Sequence, residues 1–366
     1  TVLGESALDA SVTGGNNTAI GNSALTTLTS GTNNVAVGAE SLDANTTGDK
    51  NTAIGKGSLS ANTTADENTA CGYNSMFSNS TGTSNVAVGK DALSANTTAD
   101  SNTGIGYFAL KANTTGGDNT ALGKGALGAN TTASNNVAVG SGCADANTTG
   151  SNLTGIGTNA LTNNTTGSNN TACGISALQE NTTGASNTAV GRLALDANTT
   201  ANNNTGIGNN ALGSNTTGED NVALGSDTLL ANTTASNNTA VGKGALSANT
   251  TGYSNTATGK GSLLTNTTGH NNVSVGIDAM YDNTTGAYNT ALGGAALANN
   301  TTADNNTAVG YYALRGSNGN TTGTNNTAIG FQAGDVLTTA SECTFVGRDA
   351  GGGVTTGSYN TAIGAE

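Results

Sequence analysis

The chain has no proline, no tryptophan, one histidine and four cysteines in 366 residues. Aromatics make up 3% of it and charged residues 9%. Each shortage excludes something. Collagen needs abundant proline and glycine at every third position. A disulfide scaffold needs far more cysteine. A conventional enzyme of this length carries more aromatics and more charge, and His270 alone, in a variable turn, offers no Ser/His/Asp or Cys/His constellation. A disordered acidic tail would have denser charge and fewer aliphatics than the 34% hydrophobic content seen here. The net charge of −13 argues against a nucleic-acid partner, which asks for a basic patch, and against anionic lipid. No apolar run approaches the ~18 residues of a membrane span. No signal peptide is visible. The chain starts and stops inside the repeat described next, which reads as a processed product or the ordered part of something longer.

What is abundant is glycine, 55 residues, and self-similarity. Asn17-Thr18-Ala19-Ile20-Gly21 returns as Asn34-Val35-Ala36-Val37-Gly38 and then every 17 residues to Asn306, with Leu153 once in place of Asn. A three-residue insertion follows near Gly316-Ser317-Asn318, and the motif resumes at Asn326, Cys343 and Asn360. With the partial start Thr1–Gly4 there are 22 copies, covering the whole chain. The consensus is N-T-A-I-G-x-x-A-L-x-A-N-T-T-G-x-N, numbered here as positions 1 to 17. Position 5 is Gly in every copy. The division suggested is 1–314, a regular array, and 315–366, the same array after the insertion. Gly334 and Gly351 replace Leu at position 9 in the last copies, which predicts altered register or partner contacts there.

Alternation at positions 2 and 4 before a Gly reads as a short strand ending in a turn. Positions 8–11 read as a second short strand, and Asn-Thr-Thr-Gly-x-Asn as the connecting turn, since Asn and Gly tolerate positive φ. The fold class is therefore all-β: a parallel β-solenoid or left-handed β-roll of about 22 coils of 17 residues. Stacked at ~4.8 Å per coil it predicts a rod of about 100 Å. A triangular hexapeptide helix needs an aliphatic about every six residues, which this spacing does not supply. Gly21, Gly38 and Gly55 are expected to make the repeated turn. Ile20 and Val37 (position 4) with Leu42 and Leu59 (position 9) are expected to form two facing core columns. The small residue at position 3 would then line an outer face and let another copy approach, giving a homo-oligomer, most plausibly a trimeric fibre.

These motifs resemble the S-V-A-I-G head repeats of YadA-like trimeric autotransporter adhesins. They are also similar to the N-T-A-I-G…A-L…N-T-T-G arrays of phage tail-fibre and bacterial surface-fibre proteins. The resemblance covers all copies, although this repeat is longer and Thr largely replaces the apolar residue at position 2. It implies a trimeric left-handed β-roll, an extracellular location on a cell surface or virion, and an adhesive or structural role. The partners implied are other copies of the chain and a surface receptor, with a glycan among the candidates.

Candidate contact residues are the aromatics that follow the invariant Gly: Tyr107, Phe108, Tyr311, Tyr312 and Phe331, the last three expected on neighbouring coils. The Asn-Thr-Thr element is an N-glycosylation sequon at Asn45, Asn62, Asn96, Asn113, Asn130 and onward to Asn320. The same Asn could instead stack along the ladder with its amide hydrogen-bonded. Acidic turn residues such as Asp49, Asp66 and Asp100 do not recur coil after coil, so no calcium repeat is expected, and no cofactor either. Cys71 and Cys173 read as core substitutes at position 4, too far apart for a disulfide. The alternatives are a monomeric ice-binding solenoid, for which only one outward Thr column is expected, a glycosylated surface solenoid, and a degradative β-helix enzyme, for which no cleft of carboxylates is evident.

Overall fold

A computed structural model describes residues 1–317 and 321–365; Asn318 of the insertion and the sequon at Asn320 lie outside the described residues. The protein is an all-parallel β-solenoid with no helix among the described residues. It divides into two compact units, Thr1–Ser186 and Asn187–Glu366. The first holds eleven strands, from β1 (Val2–Leu3) and β2 (Thr18–Ile20) to β11 (Thr171–Cys173). The second holds eleven more, from β12 (Thr188–Val190) to β22 (Thr361–Ile363). Within each unit consecutive strands pair in parallel, residue i against i+17, as in Thr18↔Val35, Ala19↔Ala36 and Ile20↔Val37. The ladder bonds are short: Val35 N–H donates to the Asn51 carbonyl and Gly38 N–H to that of Ile20, both at 2.8 Å. The insertion lengthens the offset to 20 residues but keeps the alignment of repeat positions, since Thr307↔Thr327, Ala308↔Ala328 and Val309↔Ile329 pair residue for residue.

Each coil has one strand, at positions 2–4. The second strand expected at positions 8–11 is not formed. Two successive turns take its place, for example Ser41 N–H to the Gly38 carbonyl and Asn45 N–H to that of Leu42. The backbone reason is positive φ at positions 7 and 9, as at Glu40 (59°) and Leu42 (50°). The left-handed region costs an L-residue about 1–2 kcal/mol. Leu25, Leu42, Leu59 and Leu93 are fully buried, and burying such a side chain contributes roughly 1.5–3 kcal/mol. Burial thus outweighs the strain in coil after coil.

The interior inverts the expected facing of the strand. Ala19, Ala36 and Ala53 at position 3 are fully buried. Ile20 and Val37 at position 4 point outward and are half-buried, and Ile54 is exposed. Of the predicted core columns Leu42 and Leu59 are inside; Ile20 and Val37 are not. Space explains the inversion. A strand methyl faces the position 9 leucine of the neighbouring coil with little to spare: a Cβ built on Gly104 would lie 3.3 Å from Leu93 Cγ. The core therefore consists of Ala at position 3, Ala or Ser at position 8, and Leu at position 9. The outer face expected to carry the alanines carries aliphatics.

The expected change of register at Gly334 and Gly351 is also absent. Phe345 stands at position 3 between them, fully buried, in the same register as Ala328. One large ring on the strand replaces two leucines on the turns.

Gly21, Gly38 and Gly55 hold φ of 135°, 138° and 131°, as expected of the repeated turn. A Cβ on Gly21 would also lie 2.5 Å from the Gly38 carbonyl oxygen. Both conformation and clearance require glycine.

Candidate functional site

Two kinds of surface stand out: the outward strand face, and the turn beside it that carries the aromatics.

The strand face presents positions 2 and 4. Thr or Val at position 2 repeats in every coil, and position 4 is Ile, Val or Leu in all but three, where Cys71, Cys173 and Thr258 stand; Ile54, Leu122 and Ile156 are 42%, 46% and 44% exposed. Cys71 and Cys173 belong to this face; they are half-buried and point outward, not core substitutes. Two cysteines are buried: Cys343, at position 1, and Cys143, at position 8, where burial pushes the Cys143 thiol up to about 12. Gly155, on the next strand, makes room for its sulfur: a Cβ there would lie 2.5 Å from Cys143 Sγ.

The sequon asparagines lie inside. Asn45, Asn62, Asn96, Asn113 and Asn130 are all fully buried. Asn45 Nδ2 donates to the Gly48 carbonyl at 3.0 Å, and Asn62 Nδ2 donates to Asn45 Oδ1 at 3.1 Å. A second ladder runs through position 1, where Asn34 Nδ2 also donates to the Gly48 carbonyl, at 2.8 Å, and Asn51 N–H donates to Asn34 Oδ1. A glycan would have to be attached to the same buried nitrogen that makes these bonds. These positions form buried, hydrogen-bonded ladders, the stacked arrangement weighed beside the sequon reading. Of the two threonines that follow, Thr46 gives its hydroxyl to the Thr63 carbonyl at 3.1 Å, while Thr47 is exposed.

The acidic residues at position 16 also have a structural part. Asp49 Oδ1 accepts from Thr32 N–H, and Asp100 Oδ1 from Thr83 N–H, each at 2.6 Å. Ser134 Oγ does the same for Gly117 N–H. Among the described residues no three His, Cys, Asp or Glu side chains are grouped to hold a metal. His270 stacks on Tyr253 at 4.8 Å and meets the edge of Tyr288 at 5.3 Å.

The predicted aromatics do meet. Tyr107 and Phe108, at positions 6 and 7 of one coil in the first unit, stack with centroids 3.8 Å apart. In the second unit Tyr311 and Tyr312 meet at 3.9 Å, and Phe331 on the next coil stacks on Tyr311 at 5.9 Å. A hydrogen bond to Tyr312 raises the Tyr311 phenol above its ordinary value.

Sequence reasoning missed the cations. Lys111 Nζ sits 4.0 Å from the Phe108 centroid and Arg315 lies 4.4 Å from that of Tyr312. Seven of the ten Lys and Arg stand at position 6, where Lys90 lies between Tyr73 and Tyr107, at 5.8 and 5.7 Å from their rings. The signal was present as two related pentapeptides, Tyr107-Phe108-Ala109-Leu110-Lys111 and Tyr311-Tyr312-Ala313-Leu314-Arg315.

Beside the first pentapeptide lies an open notch of about 760 Å³, bounded by Phe108 and Lys111 on one side and Asp145 on the other. Burial raises the Asp145 carboxyl above the usual carboxylate range. Among the described residues no helix is long and apolar enough to cross a membrane.

No protein-family model matches the chain, and no curated protein matches it. The class the fold defines is a repeat β-solenoid.

Proposed function

We propose that the chain is the shaft or head of an extracellular fibre, in which several copies, most simply three, associate through their outward strand faces and present a binding surface to a cell or other surface. The observation that carries this reading is the aliphatic position 4 column. Monomeric proteins rarely leave contiguous apolar patches beyond a few hundred Å² uncovered, and this column runs through all but three of the strands, which carry Cys71, Cys173 and Thr258 there. A second copy offers the same periodic surface, so ridges and gaps match at one ~4.8 Å interval. This replaces the alanine column as the surface of lateral contact. The bacterial adhesin and phage tail-fibre resemblances are compatible with this arrangement and supply the extracellular location.

The test is accessibility in the source. An antibody raised against the chain is expected to label intact cells or particles. Labelling only after permeabilisation contradicts the reading.

A second reading, ice binding by a monomer, draws on the exposed position 14 threonines such as Thr47, Thr64 and Thr81. That column is one residue wide, because the neighbouring Thr46 and Thr63 hydroxyls are bonded to backbone. Thermal hysteresis of a dilute solution decides it: none is expected from the fibre.

A further inference from the structure

We propose that the notch between Phe108 and Asp145 binds an acidic saccharide, a pyranose bearing a carboxylate. This rests on the fibre reading only for its biological setting.

The notch exists because one coil is stripped of side chains. Gly125 and Gly128 stand at positions 7 and 10, where other coils carry residues such as Asn74, Asn159, Ser60 and Ser94. Its floor is a row of position 11 methyls, Ala95, Ala112, Ala129 and Ala146. The Asp145 carboxylate folds back over the bare coil: a Cβ on Gly125 would lie 3.4 Å from Asp145 Oδ1. Lys111 and Lys124 border the same space, and neither forms an ion pair among the described residues.

Each part asks for one feature of the ligand. Two ammonium groups without an ion-pair partner ask for an anion. A carboxylate in the same notch asks for hydroxyl donors. A flat methyl floor against an aromatic wall asks for a flat C–H face. A uronic acid residue carries all three within one ring. A carboxylate-rich peptide supplies the anion but neither the hydroxyls nor the flat face.

The aromatic–cation element is not a chance decoration. Aromatics occupy positions 6 and 7 together in only two coils, and those two coils are the only ones with a cation at position 10. The two differ in charge balance. Arg315 has a carboxylate partner, Asp335, at 3.8 Å. Lys111 has none, so its charge is available.

The test is calorimetric titration of the full chain with a glucuronate-containing tetrasaccharide, beside a neutral tetrasaccharide and a glutamate-rich hexapeptide. One site per chain is expected, weakened by salt, with no comparable binding of the two controls. K111Q together with K124Q is expected to weaken it about tenfold or more, the equivalent of one hydrogen bond to a charged group. Gly125→Asn should also weaken it by filling the notch. Asn already stands at positive φ at this position in Asn74, Asn159 and Asn210, so the coil should still fold, with an unchanged melting curve. Arg315→Gln should leave binding unchanged. No binding by the wild type, full affinity in the notch variants, or equal binding of either control overturns the proposal. Self-association is measured separately, so failure of this site and failure of the fibre reading are distinguishable.

Discussion

Phe345 occupies the interior space that Gly334 leaves empty on the preceding coil: a Cβ on Gly334 would lie 2.8 Å from Phe345 Cδ2. The Cβ of a residue at 351, on the other side, would also collide with the ring. Strand and turn thus share one fixed volume, filled by Ala with Leu in most coils and by Phe with Gly here. Phe345→Ala should cost about 3–5 kcal/mol. Adding Gly351→Leu should recover much of the loss, since Leu is accommodated at positive φ at this position elsewhere. Denaturant unfolding of the single and double variants checks it; a double variant no better than the single one argues against shared volume.

The asparagine ladder should be a major source of stability. Asn96 is fully buried, donates to Asn79 Oδ1 at 2.8 Å and to the Ala99 carbonyl at 3.0 Å, and accepts from Asn113 Nδ2 at 3.1 Å. Asn96→Ala leaves several buried polar atoms without partners, at about 1–3 kcal/mol for each that finds no water. Asn96→Asp removes both donors and buries a charge, and should be worse. A loss in thermal stability of only a few tenths of a kcal/mol would contradict this account. Mass spectrometry of the chain secreted from a glycosylating host should find Asn45, Asn96 and Asn130 unmodified in the folded fraction.

Thiol chemistry separates inside from outside. Alkylation needs the thiolate, and burial holds Cys143 near 12. It should remain unlabelled by iodoacetamide at pH 8 until the chain unfolds. Cys71 and Cys173 point out from the strand face, so they should label in dissociated chains and be protected on assembly. Labelling of Cys143 in the native chain would contradict the assigned facing.

The invariant glycine should tolerate no side chain. Gly106 has φ of 136°, and a Cβ there would lie 2.5 Å from the Gly123 carbonyl oxygen. Gly106→Ala is expected to open the local ladder, seen as faster amide exchange at Gly106 and Gly123. Unchanged protection at both would show that the turn has slack.

The period, the parallel stacking and the glycine turn were legible in the sequence because each recurs in every copy. The facing of the strand was not. Ala19 and Ile20 are adjacent, and which one points inward depends on the interior width, set by Leu at positive φ on the opposite side. Nothing in Leu25 or Leu42 announces such a backbone, since leucine ordinarily avoids it. The asparagines were legible as either ladder or sequon, and the structure places them in a buried, hydrogen-bonded ladder. The aromatic pairs were read correctly as neighbours, whereas the Lys111 and Arg315 contacts with the rings needed coordinates, and so did the notch left by Gly125 and Gly128.

The claim on which most depends is that the outward aliphatic face is a surface of assembly. Light scattering of the purified chain measures it directly. The account predicts a mass three times that of one chain, reduced to a single chain by Ile54→Lys, Leu122→Lys and Ile156→Lys together, with the solenoid's circular dichroism retained because all three side chains lie outside the core. A wild-type chain that is monomeric at micromolar concentration, or a triple variant that still assembles, contradicts it.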